Sequence, residues 1–289
     1  ITSAQRYHSR ISSRLTPKLL QGNTMKLMVA GCSFAAVSQQ LPGTSWSEHL
    51  AQLLGNWELT NLARQGCSNG GIRVQIDEIR RQRPDFAVIS ATFWDRMEIP
   101  AKSAPYNWDL PSGGWNPALE RHLQNRELGN GYNREDGIRN VNYGREPSNM
   151  ICETIFSLAE NYDHPYRSTK IDKHTQNAIK QYINHIYDSN WKYQMDTWIM
   201  RDGIVQAYLE GIKFIVLPDN LWNVHIVRNI IPKIVPDRYL ITNGEHTPAH
   251  ATYLYPLKDK NRDPGYHGEP ESQQYLADIF YKIITEWKE

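Results

Sequence analysis

Ser33 occupies the setting in this 289-residue chain that most invites a chemical role. It follows an apolar run, Leu27-Met28-Val29-Ala30, that stops at Gly31-Cys32. Such a run closed by glycine predicts a buried parallel strand ending in a tight turn. Ser33 should then stand at the carboxyl edge of a sheet, where open α/β folds keep their sites. A serine hydroxyl attacks a carbonyl only when a base removes its proton; the other role for a serine at such a junction is to cap the next helix. Two more strand ends converge there. Residues 57–62 lead into Gly66-Cys67-Ser68-Asn69-Gly70-Gly71, and residues 86–90 end at Ala91-Thr92. The glycine-rich loop lacks a following Gly-Lys-Ser/Thr, which excludes a nucleotide site of that type. Cys32 reads as a small buried hydrophobe. His246 and His250 have the spacing of helical metal ligands, but Pro248 between them argues against a helix. No Cys or carboxylate cluster accompanies them, so no metal is expected.

Gly31-Cys32-Ser33-Phe34, Ser45-Trp46, Asn61-Leu62-Ala63, Gly66-Cys67-Ser68-Asn69 and Trp94-Asp95-Arg96-Met97-Glu98 follow one another in an order that resembles the GDSL/SGNH hydrolases. The likeness is to the branch often encoded by bacteriophages, whose first motif reads Gly-Cys-Ser-Phe. It resumes near His267. The resemblance implies Ser33 as nucleophile, His267 as base and Asp263 as the carboxylate that fixes the ring tautomer. It also implies an oxyanion hole built from the backbone amides of Ser33 and Gly66. Two departures stand out. Asp263 precedes His267 by four residues, where the family pattern has three, and Ala91-Thr92-Phe93-Trp94-Asp95 lacks the family's third-block asparagine. Thr92 or Asn69 would have to supply that donor. Trp94 and Arg96 are the candidate substrate contacts, Arg96 having a buried ion pair with Glu98 as its other reading.

Charge is almost balanced, with 32 Lys+Arg against 31 Asp+Glu. That balance gives no global electrostatic case for nucleic acid or a membrane surface. Three cysteines, two of them inside motifs, do not make a disulfide framework. No apolar run approaches the ~20 residues that span a bilayer, and the N-terminus lacks the apolar core of a secretory signal. A soluble protein made in the cytoplasm is expected. Nine Trp and sixteen Tyr against six Phe favour rings with a polar tip. Such rings suit wet recognition surfaces, sugars included, and also the margins of an ordinary core.

Positioning falls to alternating strands and helices. Helices are expected over residues 44–54, 72–81, 149–161, 169–187, 191–209 and 270–287, with Ser68 or Asn69 capping the second. A buried strand is expected over 212–217. The pattern predicts an α/β three-layer sandwich with a mainly parallel sheet of about five strands, SGNH-hydrolase-like and flavodoxin-like. Residues 1–24 hold four basic residues and no acidic one and read as a basic arm, ordered only if something holds it. Residues 25–289 form the domain, with a loop-rich insertion at about 100–147 lying over the site; 222–262 resists assignment.

Two functions follow. The first is an SGNH-type serine esterase acting on an acyl ester such as an O-acetylated carbohydrate, needing no metal or organic cofactor. The second is a catalytically weakened structural or binding subunit of a virion or other assembly, held through residues 1–24.

Overall fold

The computed structural model describes residues 24–38, 41–55, 57–63, 67–94, 96–100, 150–154, 173–218, 234–241, 244–258 and 267–287. The arm through residue 23, most of the insertion, Gly66 and Asp263 lie outside them. The first strand, β1 (Lys26–Ala30), is central because its side chains alternate between two apolar layers. It pairs in parallel with β2 (Glu58–Asn61) on one side and β3 (Phe86–Ala91) on the other. We number the remaining strands β4 (Arg96–Pro100), β5 (Met150–Thr154) and β6 (Phe214–Pro218). The main sheet is parallel in the order β2-β1-β3-β6. A parallel bridge from Val216 to Leu240 continues it past β6.

Helices cover both faces, as a sheet buried on both sides requires. Met28, Ala30, Ala87 and Ile89 pack with Ile72, Ile76 and Ile79 of α2 (Asn69–Gln82) and with Met200 and Ile204. The latter two belong to α4 (Ser189–Leu209), which follows α3 (Lys173–His185). Leu27, Val29, Phe86 and Val88 pack on the opposite face with Trp46 and Leu50 of α1 (Trp46–Leu53). Leu276 and Phe280 of the last helix join them. This is the expected α/β three-layer arrangement. Because the chain leaves β1 for β2 on one side and returns to β3 on the other, a crevice opens at the carboxyl ends of β1 and β3. Ser33 stands at that edge.

Ser45 caps α1 through a capping box with Glu48, and Ser68, not Asn69, caps α2. One expectation is corrected. Residues 150–154 form β5, not the start of a helix, and pair antiparallel with β4 in the register Arg96 to Thr154 and Pro100 to Met150. Partner strands distant in sequence override local helical periodicity here. Pro248 keeps His246 and His250 off a common helix, as expected, because it is the first residue of α5 (Pro248–Leu254), where proline's missing N–H costs nothing. Thr247 caps that helix, and His246 closes a short 3-10 turn before it. The chain ends in α6 (Pro270–Thr285).

Candidate active site

At the end of β1 the chain turns at once into a helical turn, with the amides of Ala35 and Ala36 both donating to Cys32 O at 3.0 Å. The turn is tight enough that Gly31 has no room for a side chain. A Cβ there would lie 2.8 Å from Ala35 Cβ and 3.0 Å from Ser90 Cβ. Neighbouring elements clamp the turn from several directions. Trp46 Nε1 donates to Phe34 O at 2.9 Å, Asn61 Nδ2 to Ala35 O at 2.8 Å, and Gly31 N to Gln75 Oε1 at 2.7 Å. Ser33 is thereby fixed with 3% of its surface exposed.

His267 reaches it from 234 positions away. Its Nε2 lies 2.9 Å from Ser33 Oγ. The backbone of His267 has φ 66°, in the left-handed region that costs a non-glycine residue about 1–2 kcal/mol. Local backbone strain of this kind collects at functional sites, where surrounding structure enforces it. The surroundings here are specific. Gly268 sits so close to α5 and α6 that a Cβ would meet Ser272 Oγ at 2.7 Å and Thr252 Cγ2 at 2.9 Å. Glu269 N then donates to Tyr255 O at 3.1 Å, and the His267 ring stands edge-on to Phe34. In the tautomer protonated at Nδ1, Nε2 accepts the Ser33 hydroxyl proton, which is the geometry a general base needs.

Of the expected oxyanion donors, Ser33 N–H meets no acceptor among the described residues. Asn69 is a correction. Its Nδ2 donates both to Thr92 O and to Asp196 Oδ2 at 2.9 Å, and its Oδ1 accepts from Thr92 N at 2.9 Å. With two hydrogens already engaged, that amide has none left for an oxyanion. The same pairing occupies the Thr92 backbone amide, so Thr92 cannot donate through its main chain. Gly66 and Asp263 lie outside the described residues.

Arg96 is buried, and its Nη1 donates to Cys67 O at 2.9 Å, so it braces the glycine-rich loop from β4. The other side chain of the expected Arg96–Glu98 pair lies outside the described residues. Trp94 is half-buried and meets Tyr193 of α4 edge-on at 5.6 Å.

Two side chains with structural weight here were not singled out by sequence reasoning. Gln75 is buried on α2 and bonds Gly31 and Cys67. Asp196, fully buried on α4, accepts from Lys192 one turn earlier as well as from Asn69. A Lys-Asp pair four apart that leads into the buried Met200, Gly203, Ile204 and Ala207 was the available signal, since ion pairs at that spacing usually face water. Below the site, Arg73 to Asp202 at 2.7 Å and Arg80 to Glu210 tie α2 to α4. The Arg73 hydrogen bond holds the Asp202 carboxyl below its ordinary range.

Among the described residues no group of His, Cys, Asp and Glu is placed to hold a metal, and no helix is long and apolar enough to cross a membrane. No family model matches the chain. No curated relative matches it in sequence. A structural match is found to a protein from Desulfitobacterium hafniense DCB-2, provisionally described as lipolytic and of the G-D-S-L family. It has 11% identity, covers 90% of this chain and 99% of that one, and has a TM-score of 0.29. Superposition that loose carries no weight for family or chemistry.

Proposed function

We propose that this protein is a serine ester hydrolase of the SGNH type. The 2.9 Å contact between Ser33 Oγ and His267 Nε2 carries the reading, set at the carboxyl edge of a parallel sheet where a nucleophile and base can meet a substrate from the crevice. In the first half-reaction Ser33 Oγ bonds to the acyl carbonyl carbon while His267 Nε2 takes the hydroxyl proton. The backbone amides of Ser33 and Gly66 hold the oxyanion. Collapse breaks the bond to the alkoxy oxygen, which leaves as the alcohol with the proton from His267. Water, deprotonated by His267, then attacks the acyl-serine; the bond from the acyl carbon to Ser33 Oγ breaks, the carboxylic acid leaves, and His267 returns the proton to Ser33 Oγ. Asp263 orients His267 throughout. The substrate class we favour is an O-acylated carbohydrate, because Trp94 and Tyr193 stand edge-on beside the strand end and such rings suit sugar faces.

A second reading is favoured by one observation, the engagement of the Asn69 amide away from any oxyanion position. Removal of one such donor lowers rate by roughly 10²–10³-fold. A fold kept for binding within an assembly, with weakened chemistry, would tolerate that loss.

Hydrolysis of p-nitrophenyl acetate by the purified chain separates the two. The esterase reading expects turnover that falls by about 10⁴-fold or more in Ser33→Ala and in His267→Ala. A well-folded wild-type chain with no hydrolysis above background removes the esterase reading and leaves the second.

A further inference from the structure

We infer that Gln75 is a positioning residue that sets the nucleophile turn and the glycine-rich loop in one register; this rests on the esterase reading above. Gln75 projects from the buried face of α2, beside Ile72, Ile76 and Ile79, and is 2% exposed. An amide in such a layer is costly to bury unless it is hydrogen-bonded. Among the described residues, all of its side-chain bonds go to the two site loops. Its Oε1 accepts from Gly31 N at 2.7 Å, and its Nε2 lies 3.4 Å from both Gly31 O and Cys67 Sγ.

These partners are strategic. The sheet pairing of β1 ends at Val29 with Asn61 and at Ala30 with Ile89. The Gly31 amide, one residue further on, is satisfied by a side chain instead of a strand. Gly31 lies two residues before Ser33, and Cys67 directly follows Gly66. The turn that carries Ser33 and the Cys67 end of the glycine-rich loop are therefore gripped by a single side chain. Donor placement matters because a displacement of about 1 Å far from the chemistry can cost roughly 10²-fold in rate. A residue that cross-links the nucleophile turn to Cys67 sets the distance between those two segments.

Gln75→Leu and Gln75→Glu test the assignment in the full chain. Leucine removes every bond and leaves the buried Gly31 N–H unsatisfied. Glutamate keeps the acceptor and regains a donor only when protonated. Gln75→Leu should exchange the Gly31 amide hydrogen faster and expose Cys67 to thiol reagent, while amides elsewhere in β1 and β3 stay protected. Its kcat on p-nitrophenyl acetate should fall by roughly 10–100-fold, with KM changed by less than about threefold. Gln75→Glu should retain more activity than Gln75→Leu, and its activity relative to wild type should rise as pH is lowered. The glutamate variant carries the test if the leucine variant does not fold. Wild-type protection at Gly31 and Cys67 in Gln75→Leu overturns the inference, as does wild-type protection of Cys67 in Gln75→Glu at a pH where the glutamate is ionised. So does a uniform rise in exchange across the sheet, or a rate loss that appears in KM alone. A wild-type chain without turnover refutes the esterase reading, whereas local protection at Gly31 and Cys67 still decides whether Gln75 joins the loops.

Discussion

The ring of His267 stands edge-on to that of Phe34, with centroids 5.0 Å apart and planes at 66°, so the residue next to the nucleophile also seats the base. Edge-to-face pairs contribute about 0.5–1.5 kcal/mol beyond the area they bury. Phe34→Ala should therefore slow acylation of Ser33 by roughly 2–10-fold through a less ordered imidazole. The rate of reaction with a fluorophosphonate reagent measures this, and an unchanged rate would show that Phe34 has no part in holding His267.

Gly31→Ala acts on the other partner. A methyl group there meets Ala35 Cβ at 2.8 Å and Ser90 Cβ at 3.0 Å, between a backbone turn and a central strand that have little freedom to move. Overpacking of this kind costs about 1–3 kcal/mol, and the strain falls on the turn that carries Ser33. Chemical denaturation should show that loss together with reduced hydrolysis. A variant of wild-type stability would mean the turn is more plastic than the contacts indicate.

Asp196 is fully buried against Asn69 and Lys192. Asp196→Ala takes the carboxylate away from the Lys192 ammonium and loosens Asn69, which holds both backbone groups of Thr92. Breaking a buried pair by removing one member costs about 3–5 kcal/mol. Lys192 keeps 15% of its side chain exposed, so the lower end of that range is expected in urea unfolding. A loss below about 1 kcal/mol would place the pair among ordinary surface ion pairs.

Acid should destabilise the fold through His246. Burial, ahead of the repulsion from His250 and Lys282, pushes its pKa below the ordinary histidine value of 6.5, against the opposing pull of Glu245. A depressed histidine pKa means the unfolded chain binds the proton more readily. The contribution is therefore fully present above pH 6.5 and is lost as pH falls through the lower folded value. The thermal midpoint should drop across that window, and His246→Gln should make the drop shallower. An equal slope in both proteins would assign the acid sensitivity to other groups.

Much of this was legible in the sequence where a period or a cap carries the information. The runs at Leu27–Ala30 and Phe86–Ser90 specified buried central strands, and the Ser68-Asn69 pair marked a helix start. Ser33 and His267 were legible as a pair only through motif order, because no local pattern spans 234 positions. The strand Met150–Thr154 was misread as helix since its pairing partner is Arg96–Pro100, across the whole insertion. Asn69, like Thr92, fits the missing oxyanion donor by residue type alone. The tertiary partners Thr92 and Asp196 decide otherwise. Gln75 sat unnoticed in an apolar helical stripe, as a buried polar residue does when its bonds go to distant loops.

The account stands most directly on whether Ser33 is an activated nucleophile. Labelling of the native chain with a fluorophosphonate, followed by mass-spectrometric location of the adduct, measures that. The predicted result is a single adduct on Ser33 that forms at a rate strongly reduced in His267→Ala and is absent after unfolding. A folded chain that takes no label at Ser33, or labels equally fast without His267, would contradict it.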